Sequence, residues 1–133
     1  MKNNNFAAEK AKEWFRKGDN DLKAAEIIIK EAHPPTDTVC FHCQQSVEKY
    51  LKGYLTKKRQ EFLKSHDLDY LLKLCVDMNN QFSQYQEAAL ILNKYGIEPR
   101  YPADIPVYYS VEEARKAIEL AKEIVRFVKR LSS

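Results

Sequence analysis

Two long runs of small and apolar residues set the limits on this fold. Ala11, Phe15, Gly18, Leu22, Ala25, Ile29 and Ala32 are spaced alternately four and three apart, and Val111, Ala114, Ile118, Ala121, Val125 and Val128 repeat the alternation near the other end. Such steps return to one side of a 3.6-residue helix, so each run is a continuous apolar stripe. A helix from about Phe6 to Ala32 would be roughly 40 Å long. A stripe of that length is best covered along its whole height by other long helices.

Local signals divide the rest of the chain into further helices. His33-Pro34-Pro35 ends the first, because the residue before a proline is pushed out of the α region. Thr36 or Asp37 offers a cap for a second helix reaching about Arg59. A third opens near Ser65-His66-Asp67 and carries Leu68, Leu71, Leu72, Cys75 and Met78 on one face. Ser83 with Gln86 has the spacing of a capping box and starts a shorter fourth helix. Gly96 would stop that helix in the left-handed conformation. The next stretch, IEPRYPADIPVYY, holds three prolines and no helical period, and reads as a loop. Ser110 with Glu113 makes a second capping box at the start of the last helix. No strand pair, internal repeat or linker is visible. The expectation is an all-α, up-and-down bundle of about five helices, forming a single domain over residues 1–133.

Gly18 and Gly53 fall inside helices, at a cost of about 1 kcal/mol each relative to alanine. They mark either close helix crossings, a subunit interface among them, or tolerated surface positions.

With 22 lysines and arginines against 19 acids, the net charge of +3 permits an anionic partner without requiring one. No apolar run has the length of a membrane span. The opening MKNNNFAAEKAKEW lacks the apolar core of a signal peptide. The expected setting is the cytoplasm, away from membranes, with the three cysteines as reduced thiols.

The stretch Phe41–Leu55 puts two demands on one helix. Cys40, Cys43, Val47, Leu51 and Tyr54 line an apolar face, while Gln45, Lys49 and Lys52 line up beside it. Solvent faces tend to alternate signs, with acids four residues before bases. The amide–cation row is therefore either a solvated face or part of a polar site.

Other motifs have a chemical reading and a plainer one. Cys40-Phe41-His42-Cys43 has metal-like spacing, but zinc needs four ligands, and Cys75, His33 and His66 supply no paired companion. Buried thiols behave as small hydrophobes, so core packing is expected, with no metal and no cofactor. His66 is either a polar contact for phosphate, an acid/base group, or structural packing at a helix start. No serine or cysteine has a base at a recognisable spacing. Three scattered glycines exclude a phosphate-binding glycine loop. Arg100 suits bidentate phosphate contacts, and Tyr101, Tyr108 and Tyr109 offer rings beside it in a proline-stiffened loop. That loop is either a nucleotide clamp or one anchored by Arg100 on Asp21 or Asp104. Lys57-Lys58-Arg59 with Lys64 forms a basic patch of the kind that is usually solvated.

Taken together, Asp21-Leu22-x-x-Ala25, Gln44-Gln45-x-x-Glu48-Lys49-x-Leu51-Lys52, His66-Asp67-Leu68 and Arg100-Tyr101-Pro102 resemble the HEPN domain, the higher eukaryote and prokaryote nucleotide-binding domain. The likeness runs in order through nearly the whole chain. It implies a bundle of about five helices, a homodimer, and an accessory role beside a minimal nucleotidyltransferase in a toxin–antitoxin-like pair. It points to Lys49, Lys52 and Arg100 as contacts for the phosphates of a nucleotide or RNA, His66 as a polar contact, Tyr101 for packing or stacking, and Asp21 as the orienter of a cation. Some family members are metal-independent ribonucleases, with an arginine followed four to six residues later by a histidine. Here no histidine follows Arg100, and Arg59 precedes His66 by seven. The expected role is binding rather than catalysis; the alternatives are a ribonuclease with an altered site and a purely structural interaction protein.

Overall fold

The computed structural model describes residues 2–96 and 108–133, with side chains from Phe6 onward. The described residues form five α-helices: α1 (Lys2–Ile28), α2 (Thr36–Lys57), α3 (Leu68–Met78), α4 (Gln86–Asn93) and α5 (Val111–Ser132). Two 3-10 segments, Asn80–Tyr85 and Lys94–Gly96, flank α4. No strand occurs among the described residues, so the molecule is the all-α bundle that the two stripes predict. None of these helices is long and apolar enough to cross a membrane.

The central element is α2, which packs on α1, α3, α4 and α5. Every residue from Cys43 to Leu55 except Lys49 is buried, polar ones included. A helix surrounded in this way has no solvent face to spare, which is why its polar side chains pair with one another. The two glycines explain how closely α1 approaches. A Cβ on Gly53 would sit 2.5 Å from Phe15 Cε1, and one on Gly18 would sit 2.6 Å from Tyr50 Cδ2. Ser46 Oγ donates to the Gly18 carbonyl at 2.8 Å across the same crossing. The crossing reading therefore holds, and it lies between two helices of one chain.

The α5 stripe is buried as expected at Ala114, Ile118, Ala121, Val125 and Val128. Ala117, Leu120, Ile124 and Phe127 widen it. Phe82 packs edge-on against Phe127 at 4.9 Å and tilts against Tyr54 at 4.8 Å, joining α5 to α2 through the first 3-10 segment. At the start of α5, the Ser110 hydroxyl accepts from the Glu113 amide at 3.0 Å. Glu113 does not complete the capping box; its carboxylate accepts from Tyr95 Oη at 2.6 Å.

Several boundaries differ from the sequence expectation. The first helix ends at Ile28, and Ile29–His33 form turns that leave Ala32 exposed, so the stripe outruns the helix. Pro35 occupies the cap position of α2 with no side-chain bond, and Thr36 is already helical. Asn79 caps the 3-10 segment that leads into α4, its side chain accepting from Gln81 N at 3.0 Å, and Ser83 lies inside that segment. Gly96 is not left-handed. It is needed for space, since a Cβ there would meet Gln44 at 3.0 Å. Among the described residues the left-handed one is Arg59, at φ 59°. Gln60 N donates to Leu55 O and Arg59 N to Thr56 O, the paired bonds of a Schellman stop after α2.

Candidate functional site

Glu48 sits on the buried side of α2 at 3% exposure, where an unpaired carboxylate would be very costly. Its two oxygens are fully engaged. Lys52, one turn on and 5% exposed, donates to Oε2 at 2.9 Å. His66 Nδ1 lies 3.1 and 3.0 Å from the two oxygens. Gln44 and Gln45 each donate to Oε1 at 3.3 Å. Gln45 also donates to Gln44 Oε1 at 2.7 Å, and Gln44 to the His66 carbonyl at 2.9 Å. A network in which every member is satisfied is rigid, and removing any one member leaves a buried polar group stranded.

The network has one outlet. The His66 side chain is 54% exposed, although its partner carboxylate is buried. A carboxylate only accepts, so Nδ1 carries the ring proton and Nε2 is left for solvent or a ligand. A histidine held through Nδ1 by a carboxylate is oriented as an acid/base group or as a donor to an anion. It is placed by the start of α3, where Asp67 caps the helix through Asp69 N at 2.9 Å. The cap is tied to the end of α4. Asn93 Nδ2 donates to Asp67 Oδ1 at 2.9 Å, and Leu68 N donates to Asn93 Oδ1 at 2.8 Å.

A second polar group lies further along the α1–α2 crossing. Asp21 takes Lys49 Nζ at 2.5 Å on one oxygen and His42 Nδ1 at 2.8 Å on the other. Asp21 is thus paired with Lys49 and His42. The two lysines of the row answer to different carboxylates: Lys49 to Asp21, Lys52 to Glu48. Lys52 also lies 5.4 Å from the centre of the Trp14 ring. Arg100 and Tyr101 lie outside the described residues. Tyr109 is buried against Tyr95, and Tyr108 is exposed.

The thiols are core groups. Cys40, Cys43 and Cys75 are free and fully buried. Burial pushes the Cys40 thiol up to about 12 and raises Cys43 and Cys75 further. No cluster of three or more metal-binding side chains occurs among the described residues. Lys57 of the basic patch caps the far end of α5, donating to the Ser132 carbonyl at 2.6 Å.

Sequence reasoning misses three residues of this geometry. Glu48, the hub, stands four residues before Lys52, and that acid–base spacing was the available signal. Gln44 stands four before Glu48. His42 belongs by sequence to a cysteine motif, and nothing in the sequence pairs it with Asp21.

The class these features define is an all-α bundle with a polar network buried on its central helix. The HEPN domain family model matches residues 11–131, and the chain belongs to that family. It is similar to a Methanocaldococcus jannaschii protein named "Putative toxin MJ1304", at 24% identity over 97% of this chain and 92% of that one. Among solved structures it resembles TT1696 from Thermus thermophilus, with TM-score 0.75 and 29% identity over 91% of this chain and 97% of that one. It also resembles ST0689, an archaeal HEPN homologue, with TM-score 0.74 and 25% identity over 92% and 98% of the two chains.

Proposed function

We propose that this HEPN domain binds the phosphates of a nucleotide or nucleotide-bearing substrate beside His66. In this reading it acts as the HEPN half of a toxin–antitoxin-like pair with a minimal nucleotidyltransferase, and it works as a homodimer. The observation that carries the binding reading is the Glu48 network, which holds an exposed histidine in one orientation from a buried base. The toxin name of the archaeal relative supports the pairing. Arg100 and Tyr101 are the remaining contacts in this proposal, for phosphate and base. Lys49 and Lys52, whose charges are balanced by Asp21 and Glu48, add little net potential to this proposal.

The test is thermal unfolding with a nucleoside triphosphate. A ligand at a hundredfold excess over Kd adds about 2.7 kcal/mol to the folded state, a shift of several degrees. That shift should vanish in Arg100→Ala, and in His66→Asn, whose amide can still donate to Glu48, while helicity is kept. Lys52→Ala is a poor probe, because it strands Glu48. The absence of any shift at millimolar nucleotide would defeat the reading. Size-exclusion chromatography with a nucleotidyltransferase encoded beside the gene tests the partner.

One observation favours a second reading. The Glu48–His66 pair has the geometry of an oriented general base, the group missing downstream of Arg100. A ribonuclease using it would cleave single-stranded RNA in chelator and lose the activity in His66→Ala. Intact RNA after long incubation removes this alternative.

A further inference from the structure

The first half of α1 carries aromatic rings and lysines beside the Glu48 site. Phe6 is 62% exposed, and the Lys10 ammonium lies 4.9 Å from its ring centre. Two turns on, Trp14 is half-buried, with Lys52 beside its ring. Lys10, Glu13, Trp14 and Lys17 line a shallow hollow of about 210 Å³. That is below the size of pockets that enclose whole ligands, so the hollow can take one flat ring and leave the rest of a ligand on the surface. The acid in it is neutralised: Glu13 is bound by Arg16 at 2.5 and 3.3 Å. Between Phe6 and Lys17 the bases Lys10, Lys12, Arg16 and Lys17 outnumber the acids Glu9 and Glu13.

We propose that this face of α1 is a track for single-stranded nucleic acid, with bases stacking on Phe6 and Trp14 and phosphates met by Lys10 and Lys17. Aromatic rings alternating with lysines are the chemistry that holds a single strand without reading its sequence. The two rings are about 12 Å apart along the helix. Engaging both takes two bases, which a mononucleotide does not carry. Lysine ammonium groups already rest on both rings, so the face is not a continuous apolar patch of the kind a protein partner covers. The track borders the His66 site through Lys52, which lies beside the Trp14 ring and donates to Glu48, but it does not rest on nucleotide binding at His66.

Trp14 is the only tryptophan of the chain, so its fluorescence reports on this face and on Lys52 beside it. Titrating the full chain with short oligouridylate or oligothymidylate should quench it saturably, to similar extents, because stacking is tolerant of sugar and base. Inorganic tripolyphosphate should not quench it, and a mononucleotide should do so only weakly. Anisotropy of a labelled oligouridylate should show Trp14→Ala binding roughly tenfold or more weaker, with Trp14→Phe keeping most of the affinity. Lys10→Gln and Lys17→Gln should each flatten the slope of log Kd against log salt by about 0.7. If Trp14→Ala fails to fold, Phe6→Ala and Lys10→Gln at exposed positions carry the same test. No quenching by any oligonucleotide overturns the proposal, as does oligonucleotide binding indifferent to Phe6, Trp14 and both lysines. Loss of self-association in Phe6→Ser, without oligonucleotide binding in the parent, reassigns the face to a protein interface. A nucleotide-induced melting shift that persists in Trp14→Phe, with no oligonucleotide quenching in the parent, would leave the His66 reading standing alone.

Discussion

At residue scale, the informative positions are those where a side chain has no alternative. Gly53 is one. Alanine would gain about 1 kcal/mol of helix propensity there, but its methyl would press on the Phe15 ring 2.5 Å away. Overpacking typically costs about 1–3 kcal/mol, so Gly53→Ala should melt a few degrees below the parent. A rise in melting temperature would show that the crossing is looser than drawn. Glu48 is another. Removing one partner of a buried ion pair costs about 3–5 kcal/mol, because the other charge is stranded. Glu48→Ala should therefore unfold far more readily in urea, whereas Glu48→Leu combined with Lys52→Met should recover most of the loss. If the single and double substitutions behave alike, the pair is not coupled. Neither role was legible from residue type. Glu48 and Lys52 have the spacing of an ordinary exposed helix pair, and only the neighbours of α2 make that pair a buried one.

At the scale of elements, stripe and cap signals located the helices well where the chain uses local bonds, and less well where tertiary contacts choose the boundary. Ser110 caps α5 as its spacing suggests, and Ser110→Ala should cost about 1 kcal/mol. Asn93 offers a contrast. It both accepts from the first amide of α3 and donates to the cap residue Asp67, so Asn93→Ala should lose more stability than Ser110→Ala. It should also speed amide exchange at Leu68 and Asp69; exchange unchanged at those amides would mean the α3–α4 tie carries no weight. The fourth helix shows why the capping box at Ser83 misled. Asn79 accepts from Gln81 N and starts the turn four residues earlier, so the chain is already winding as a 3-10 helix when Ser83 is reached. Gly96 misled for a related reason. Glycine can serve as a left-handed stop or as a space, and the choice belongs to Gln44, which packs against it from another helix.

For the whole molecule, burial of three thiols links stability to pH. The folded pKa of each thiol is raised above the ordinary value of 9.0, to about 12 for Cys40, because the interior disfavours the thiolate. Their contribution is therefore complete below pH 9 and falls as pH climbs from 9 towards 12. Each thiol adds to the loss in that window, because the unfolded chain gives up its proton first. Urea midpoints should drop steeply above about pH 9, and less steeply when one cysteine is replaced by alanine or serine. Thiol reagents at neutral pH should label the native chain slowly and the unfolded chain fast. Sequence alone determined that this protein is a helical bundle, where its long helices run, and that its cysteines pack as core residues, because 3.6-residue periodicity and side-chain polarity are properties of each segment by itself. The motif set Asp21-Leu22, Gln44 to Lys52, His66-Asp67-Leu68 and Arg100-Tyr101-Pro102 was enough to indicate the family. Tertiary structure alone decided that the polar row on α2 is divided between two carboxylates, that Glu48 is the hub, and that Gly18 and Gly53 admit neighbouring rings. Those outcomes depend on which helices surround α2 and how closely α1 crosses it, and no spacing within one segment encodes the distance to another.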